Sequence, residues 1–189
     1  MNSTDLNHMS CLDIFFSATD RSKYAQLSSR MKLVKNHFPL LALDLIALEN
    51  EPFLEMAQRK RDFLLLQEFY RKFKWKTDLQ AILKNDYEAL VLTDFSETIA
   101  WVNSGFENMT GFQPDEAIGK SPKFLQGEET SADSRSEIRT KLSQNNPFSK
   151  TIVNYRKNGE KYRCHLDIFP LQNAKNRTTH FIALEREVA

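Results

Sequence analysis

Apolar positions along the chain follow two different periods. From about Ser22 to Leu48 they recur at helical spacing, with a break at Pro39. Glu51-Pro52 is a helix start signal, because proline fits the first turn. Phe53, Met56, Phe63, Leu66, Tyr70 and Phe73 then recur at spacings of three, four or seven, and Leu54, Leu65 and Phe69 widen the stripe. So broad a stripe predicts a helix packed on more than one side. Asp78 to Lys84 reads as a short further helix.

After Tyr87 the period becomes two. Glu88–Thr93 and Ile99–Val102 are expected to pair through the turn Asp94-Phe95-Ser96-Glu97. Asn103 should cap a short helix that Gly111 ends, and Pro114–Ile118 should form another turn. Ser131–Gln144 should form a longer helix, stopped before Pro147. Three more strands are expected: Thr151–Arg156, Tyr162–Phe169 and Thr178–Glu187, the first two joined through Asn158-Gly159. In the middle one, Tyr162, Cys164, Leu166 and Ile168 share one face, and Arg163, His165 and Asp167 the other. The expected class is α+β: an α-helical N-terminal extension (1–85), then a five-stranded antiparallel sheet with short helices on one face (86–189). All 5 glycines fall in the second part, which marks the same boundary.

Charge and composition exclude several classes. The 26 basic and 25 acidic residues leave +1, whereas a dedicated nucleic-acid binder is usually basic. The clusters Arg59-Lys60-Arg61 and Arg71-Lys72-Phe73-Lys74-Trp75-Lys76 are explained by the solvated face of an amphipathic helix. The 2 cysteines, Cys11 and Cys164, are too few for a disulfide framework. No signal peptide is expected, since Asp5 and Asp13 interrupt the start and no basic cluster precedes an apolar run. The longest apolar run, Leu40 to Leu48, contains Asp44 and falls short of the roughly 20 residues of a membrane span. A cytoplasmic protein is expected. Leu40, Leu41, Leu43, Leu45, Ile46 and Leu48, with Phe63 to Leu66, Phe69 and Phe73, must be buried somewhere. The open face of the sheet and a partner's equivalent helices are the two destinations, so a homodimer through the N-terminal helices or the sheet face is expected.

The segment TDFSETIAWVNSGFENMTGFQPDEAIGK (Thr93 to Lys120), the SPKFLQG after it, and NYRKNGEKYRCHLDIFPL with HFIALE resemble the PAS domains. The resemblance covers roughly Asp86 to Val188 and implies a sensory or protein-interaction module, usually dimeric, with a cleft between sheet and helices. Within that family the chain is similar to the flavin-binding blue-light branch, the LOV domains, whose hallmark reads G-x-N-C-R-F-L-Q-G. Gly119 to Gly127 keeps the frame but has Pro122 at the thiol that attacks flavin, Ser121 at the asparagine and Lys123 at a phosphate-pairing arginine. An ungapped match puts the second phosphate arginine at Ala132. Asn154 and Gln126 are retained, Cys164 replaces the second asparagine, and Glu185 replaces the strand glutamine.

The resemblance therefore makes Lys123, Gln126, Asn154, Cys164 and Glu185 the cleft candidates. Lost contacts of roughly 1–3 kcal/mol each lead to the expectation of no cofactor, with flavin mononucleotide (FMN) as the alternative. In the alternative, light or redox sensing runs without a thiol adduct, with Trp101 or Tyr155 as electron donor. Four of the candidates also have a plainer explanation. Cys164 can be a small buried apolar residue, Glu185 a strand end open to water beside Arg186 and Glu187, and Asn154 and Gln126 ties between loops and sheet. His165 and His180 lack the further ligands of a metal site and are expected at the surface. No nucleophile, base and orienting group can be drawn together, so no enzyme is expected. The first expectation is a signalling module that acts by binding another signalling protein or a second copy of itself.

Overall fold

A computed structural model describes residues 51–189, with side chains from residue 55 onward. The expected helix between Ser22 and Leu48, its apolar run and Cys11 lie outside the described residues. Helix α1 spans Glu51–Phe73. Its turns through Ala57 belong to one compact unit, and Gln58–Ala189 form a second. In the second unit follow α2 (Leu79–Ile82), β1 (Ala89–Asp94), β2 (Ile99–Val102), α3 (Ser104–Thr110) and α4 (Pro114–Ala117). A 3₁₀ turn (Pro122–Leu125), α5 (Ala132–Ser143), β3 (Phe148–Tyr155), β4 (Lys161–Gln172) and β5 (Thr178–Glu187) complete it.

The five strands form one antiparallel sheet in the order β2-β1-β5-β4-β3. The last strand thus sits at the centre, bonded to β1 and β4. Side chains alternate across it. Ala89, Val91, Ile152, Tyr162, Cys164, Leu166, Ile168 and Phe181 form one core with Phe106, Met109, Ala117 and Leu125 from the helical layer. Leu90, Leu92, Leu171, Ile182 and Leu184 form a second core with Leu66, Trp75, Leu79, Ile82, Leu83 and Tyr87. The sheet is therefore covered on both faces, and α1 and α2 supply the second cover. Of the two destinations open to the apolar stripe of α1, the sheet face is the one observed for Leu66, Phe63, Phe69, Tyr70 and Phe73. The stripe is narrower than its composition implies, since Leu65 and Leu64 are exposed.

Local chemistry explains several junctions. Asp94 Oδ1 accepts from the Ser96 and Thr98 amides at 2.8 and 2.9 Å, which closes the β1–β2 turn. Gly111 ends α3 with φ of 75°. Gly105 lets α3 lie directly on β1, because a Cβ there would stand 1.8 Å from the Glu88 carbonyl oxygen. Asn103 ties three elements together. Its Oδ1 accepts from the Phe106 amide (3.1 Å) as the cap of α3 and from the Leu90 amide (2.9 Å) on β1. Its Nδ2 donates to Asp62 Oδ2 on α1 (2.9 Å), which also accepts from the Tyr87 hydroxyl at 3.3 Å. Burial raises the Asp62 carboxyl above its usual value, and these two bonds pull it part of the way back.

His180 is buried, not at the surface as the sequence suggests. It lies beneath α1 with ring centroids 4.2 Å from Phe73 and 5.2 Å from Trp75. Burial lowers its proton affinity, so it is neutral at pH 7. Trp75 Nε1 donates to Thr179 Oγ1 at 2.8 Å and anchors the segment after α1. His165, in contrast, is half-buried on β4 beside Asp167 (3.3 Å), so the two histidines do not converge.

Candidate functional site

A cleft lies between the inner face of the sheet and the layer of short helices. Its inner part encloses about 100 Å³. Val91, Leu125, Ile138, Ile152, Leu166, Ile168 and Phe181 make it mostly apolar, and Thr93, Glu97, Ser121, Lys123, Gln126, Asn154 and Glu185 are its polar groups. It continues through the shared residues Glu97, Lys123, Gln126, Ile138 and Leu142 into an outer part of about 540 Å³ beside α5. Together the two parts reach the roughly 300–1,000 Å³ of small-molecule sites.

The structure brings four of the five candidates, Lys123, Gln126, Asn154 and Glu185, to the inner cleft wall. Cys164 stands behind it. The thiol is fully buried and donates to Glu185 Oε2 at 3.8 Å. Burial, and then the neighbouring Glu185, push the thiol far above its usual value, so it remains protonated. That environment matches the plainer account of Cys164 as a small core residue.

Glu185 departs from its plainer account. Arg186 and Glu187 beside it suggest a strand end in water, yet Glu185 is only 4% exposed. The reason is topological. The Ala89 and Leu166 partners on β1 and β4 enclose it, and its inward parity points it at the cleft. Burial pushes its carboxyl up to about 7, and the Cys164 thiol opposes this only in part.

Two polar atoms of the cleft lack partners. Asn154 Oδ1 and Ser121 Oγ are buried without a hydrogen bond of normal geometry, the Tyr162 hydroxyl being the cross-strand neighbour of the Asn154 amide. Asn154 is 3% exposed. Buried polar atoms are nearly always paired, so such orphans at a cavity wall mark places where something else binds. Asn154 does not tie a loop to the sheet through that oxygen. That task falls to Thr130, whose hydroxyl donates to the Val153 carbonyl (2.6 Å) and accepts from the Gly127 amide (3.0 Å).

The outer part is the basic end. Lys123, Arg135 and Arg139 line it. Lys123 is paired with Glu97 at 2.7 Å, while Arg135 and Arg139 are exposed. The ungapped match that placed a phosphate-pairing arginine at Ala132 thus misses the two guanidinium groups on the same helix. Arg135 and Arg139 are four residues apart, a spacing that puts them on one helical face, so the signal was present in the sequence. The two proposed electron donors are not equivalent. Trp101 packs on the outer face with the α1 cover, so the sheet separates it from the cleft. Tyr155 stands beside Gly127, and its hydroxyl accepts from the Glu129 amide at 3.0 Å.

These residues fit a planar ligand with an anionic tail: apolar walls, unpaired amide and hydroxyl oxygens at one edge, and the exposed Arg135 and Arg139 outside, with Lys123 held by Glu97 between them. Among the described lining residues of the inner cleft there is no cysteine, and Pro122 stands on its wall. Among the described residues no group of His, Cys, Asp and Glu could hold a metal ion, and no helix is long and apolar enough to cross a membrane.

The profile of the PAS domain family matches residues 88–189. A blue-light photoreceptor of Listeria innocua is 36% identical over 90 residues, which is 48% of this chain and 35% of that protein. A bacterioopsin transcriptional activator of Halobacterium salinarum is 31% identical over 97 residues, 51% of this chain and 14% of that protein. The chain therefore spans well under two thirds of the length of either relative. Among solved structures, the LOV domain of a blue-light-activated histidine kinase of Erythrobacter litoralis superposes with a TM-score of 0.52 at 27% identity, over 56% of this chain and 98% of that one.

Proposed function

The chain belongs to the PAS domain family and is a sensory module of the LOV-like kind, and from that premise we propose that its cleft binds a planar heteroaromatic ligand with an anionic tail, FMN being the first candidate. The observation that carries this is the pair of buried, unpartnered oxygens, Asn154 Oδ1 and Ser121 Oγ, at the cleft wall. Asn154, Gln126 and Ser121 would hold the polar edge of the ring, and Arg135 and Arg139 the phosphate, Lys123 being paired with Glu97. Bound flavin supplies blue-light absorption and electron transfer. Pro122 offers no nucleophile, so any signal leaves the cleft through rearranged hydrogen bonds and not through a thiol adduct. We assign the output to binding, of another signalling protein or of a second copy of the chain, and not to catalysis.

A second reading, an interaction module with a cleft packed by its own side chains, is favoured by the narrow inner part of about 100 Å³ and by Cys164 and Glu185 at amide positions of the resemblance. Spectra of the full chain separate the two. The ligand-binding reading expects a structured flavin band in the purified protein, or quenching of FMN fluorescence when the ligand-free chain is titrated with it. A colourless protein that leaves FMN fluorescence unchanged refutes it.

A further inference from the structure

We propose that Glu185 is the specificity-determining residue of this cleft: as a neutral acid it donates a hydrogen bond to a carbonyl-type acceptor on the ligand, and on ionising it releases that ligand. This rests on the ligand-binding reading above. Glu185 lies on the central strand between β1 and β4 and is buried there. It lines the cleft. Its one side-chain hydrogen bond comes from the Cys164 thiol, at 3.8 Å, a weak donor.

The charged and titratable groups around it do not compensate an ionised carboxylate. From β4 come Cys164 and Tyr162, both held neutral by burial. At the start of β1 stands Glu88, a like charge. Asn154 on β3 is an amide. Across the cleft, Lys123 is committed to Glu97. At the strand end, Arg156 is engaged by both oxygens of Glu187, at 2.7 and 2.8 Å. A buried carboxyl without a cation stays protonated as far as the pH allows.

A carboxylic acid donates one hydrogen bond, whereas a carboxylate only accepts. A carbonyl-bearing ring edge therefore suits the acid, and the carboxylate would repel it. With Glu185 half ionised near pH 7, the competent fraction falls from about nine-tenths at pH 6 to about one-tenth at pH 8. Apparent affinity follows that fraction, a drop of about tenfold.

Riboflavin is the probe, because it has no phosphate to titrate in this range. Its fluorescence quenching by the ligand-free full chain is measured from pH 6 to pH 8, for wild type and Glu185→Gln. The glutamine keeps an N–H donor at every pH. The expected result is a wild-type affinity about tenfold weaker at pH 8, and a variant affinity constant within about twofold. Equal wild-type affinities at pH 6 and 8 overturn the proposal while leaving the ligand-binding reading standing. No binding of riboflavin or FMN by either protein at any pH overturns both. Infrared difference spectra of the two ligand-free proteins give a further check. A protonated-carboxyl band at pH 6 that is lost by pH 8 is expected, and its absence at pH 6 overturns the proposal.

Discussion

Replacing Asn103 by alanine should be far more damaging than a loop substitution. Asn103 is 3% exposed, and its side chain makes three bonds to three elements. Loss of the α3 cap removes about 1 kcal/mol. The Leu90 amide, buried on β1, is left without the Oδ1 acceptor, which costs about 1–3 kcal/mol. Asp62 loses its 2.9 Å donor in a buried setting and keeps only the longer Tyr87 bond, a further loss of about 1 kcal/mol. The sum is about 3–5 kcal/mol, a large part of the roughly 5–15 kcal/mol that stabilises an ordinary domain. Urea unfolding is the assay, followed by tryptophan fluorescence and far-ultraviolet dichroism. Both reporters of the outer core, Trp75 and Trp101, sit near α1. Asn103→Asp is the comparison. It keeps the cap acceptor but faces Asp62 with a second carboxyl, so its deficit should grow as pH rises through the carboxylate range. A loss below about 1 kcal/mol for Asn103→Ala would refute the reasoning, because neither the Leu90 amide nor Asp62 would then depend on that side chain.

Three other outcomes are expected. Glu185 has a folded-state value near 7 against an unfolded one near 4.5, so its contribution to stability is complete below about 4.5, declines up to about 7 and is level above. Across that window wild type should lose about 3 kcal/mol relative to Glu185→Gln, and parallel urea midpoints for the two proteins at pH 4.5 and pH 8 would show the assignment to be wrong. Gly105→Ala should prevent α3 from docking on β1, with a loss of more than about 3 kcal/mol, whereas Gly119→Ala, with open space around its Cβ, should lose only about 1 kcal/mol to its φ of 84°; equal losses in thermal melts would contradict the close approach. Replacing both Arg135 and Arg139 by alanine should weaken FMN more than about tenfold and leave riboflavin unchanged, and an equal effect on both ligands would remove the phosphate role.

Local signals made much of the fold legible. The period-two face of Tyr162, Cys164, Leu166 and Ile168 does point into the inner core, the Asn103 cap and the Gly111 stop stand where the sequence puts them, and α5 begins at its Ser131 cap. Pro170 misled the end of β4, which runs on to Gln172. Beyond Ile168 the strand has no β3 neighbour, and proline is tolerated on such an edge. Glu185 was the larger gap. Whether a strand-end glutamate is wet depends on which strands flank it, and the pairing of β5 with β1, some 90 residues earlier in the chain, has no local signature. Asp62 is a middle case. It precedes Leu66 by four residues, so its place on the buried stripe could be read off the helical period, while its partners Asn103 and Tyr87 could not.

The alternation along β5 makes the sheet a wall with two tenants. Phe181 and Glu185 furnish the room on one side, and His180, Ile182 and Leu184 hold up the helical cover on the other. The two rooms share no corridor. What the two rooms share is the thickness of a single strand, β5. A protein engineer can exploit this by leaving the cleft intact and reshaping Ile182 or Leu184, which pack in the same core as Leu66 of α1.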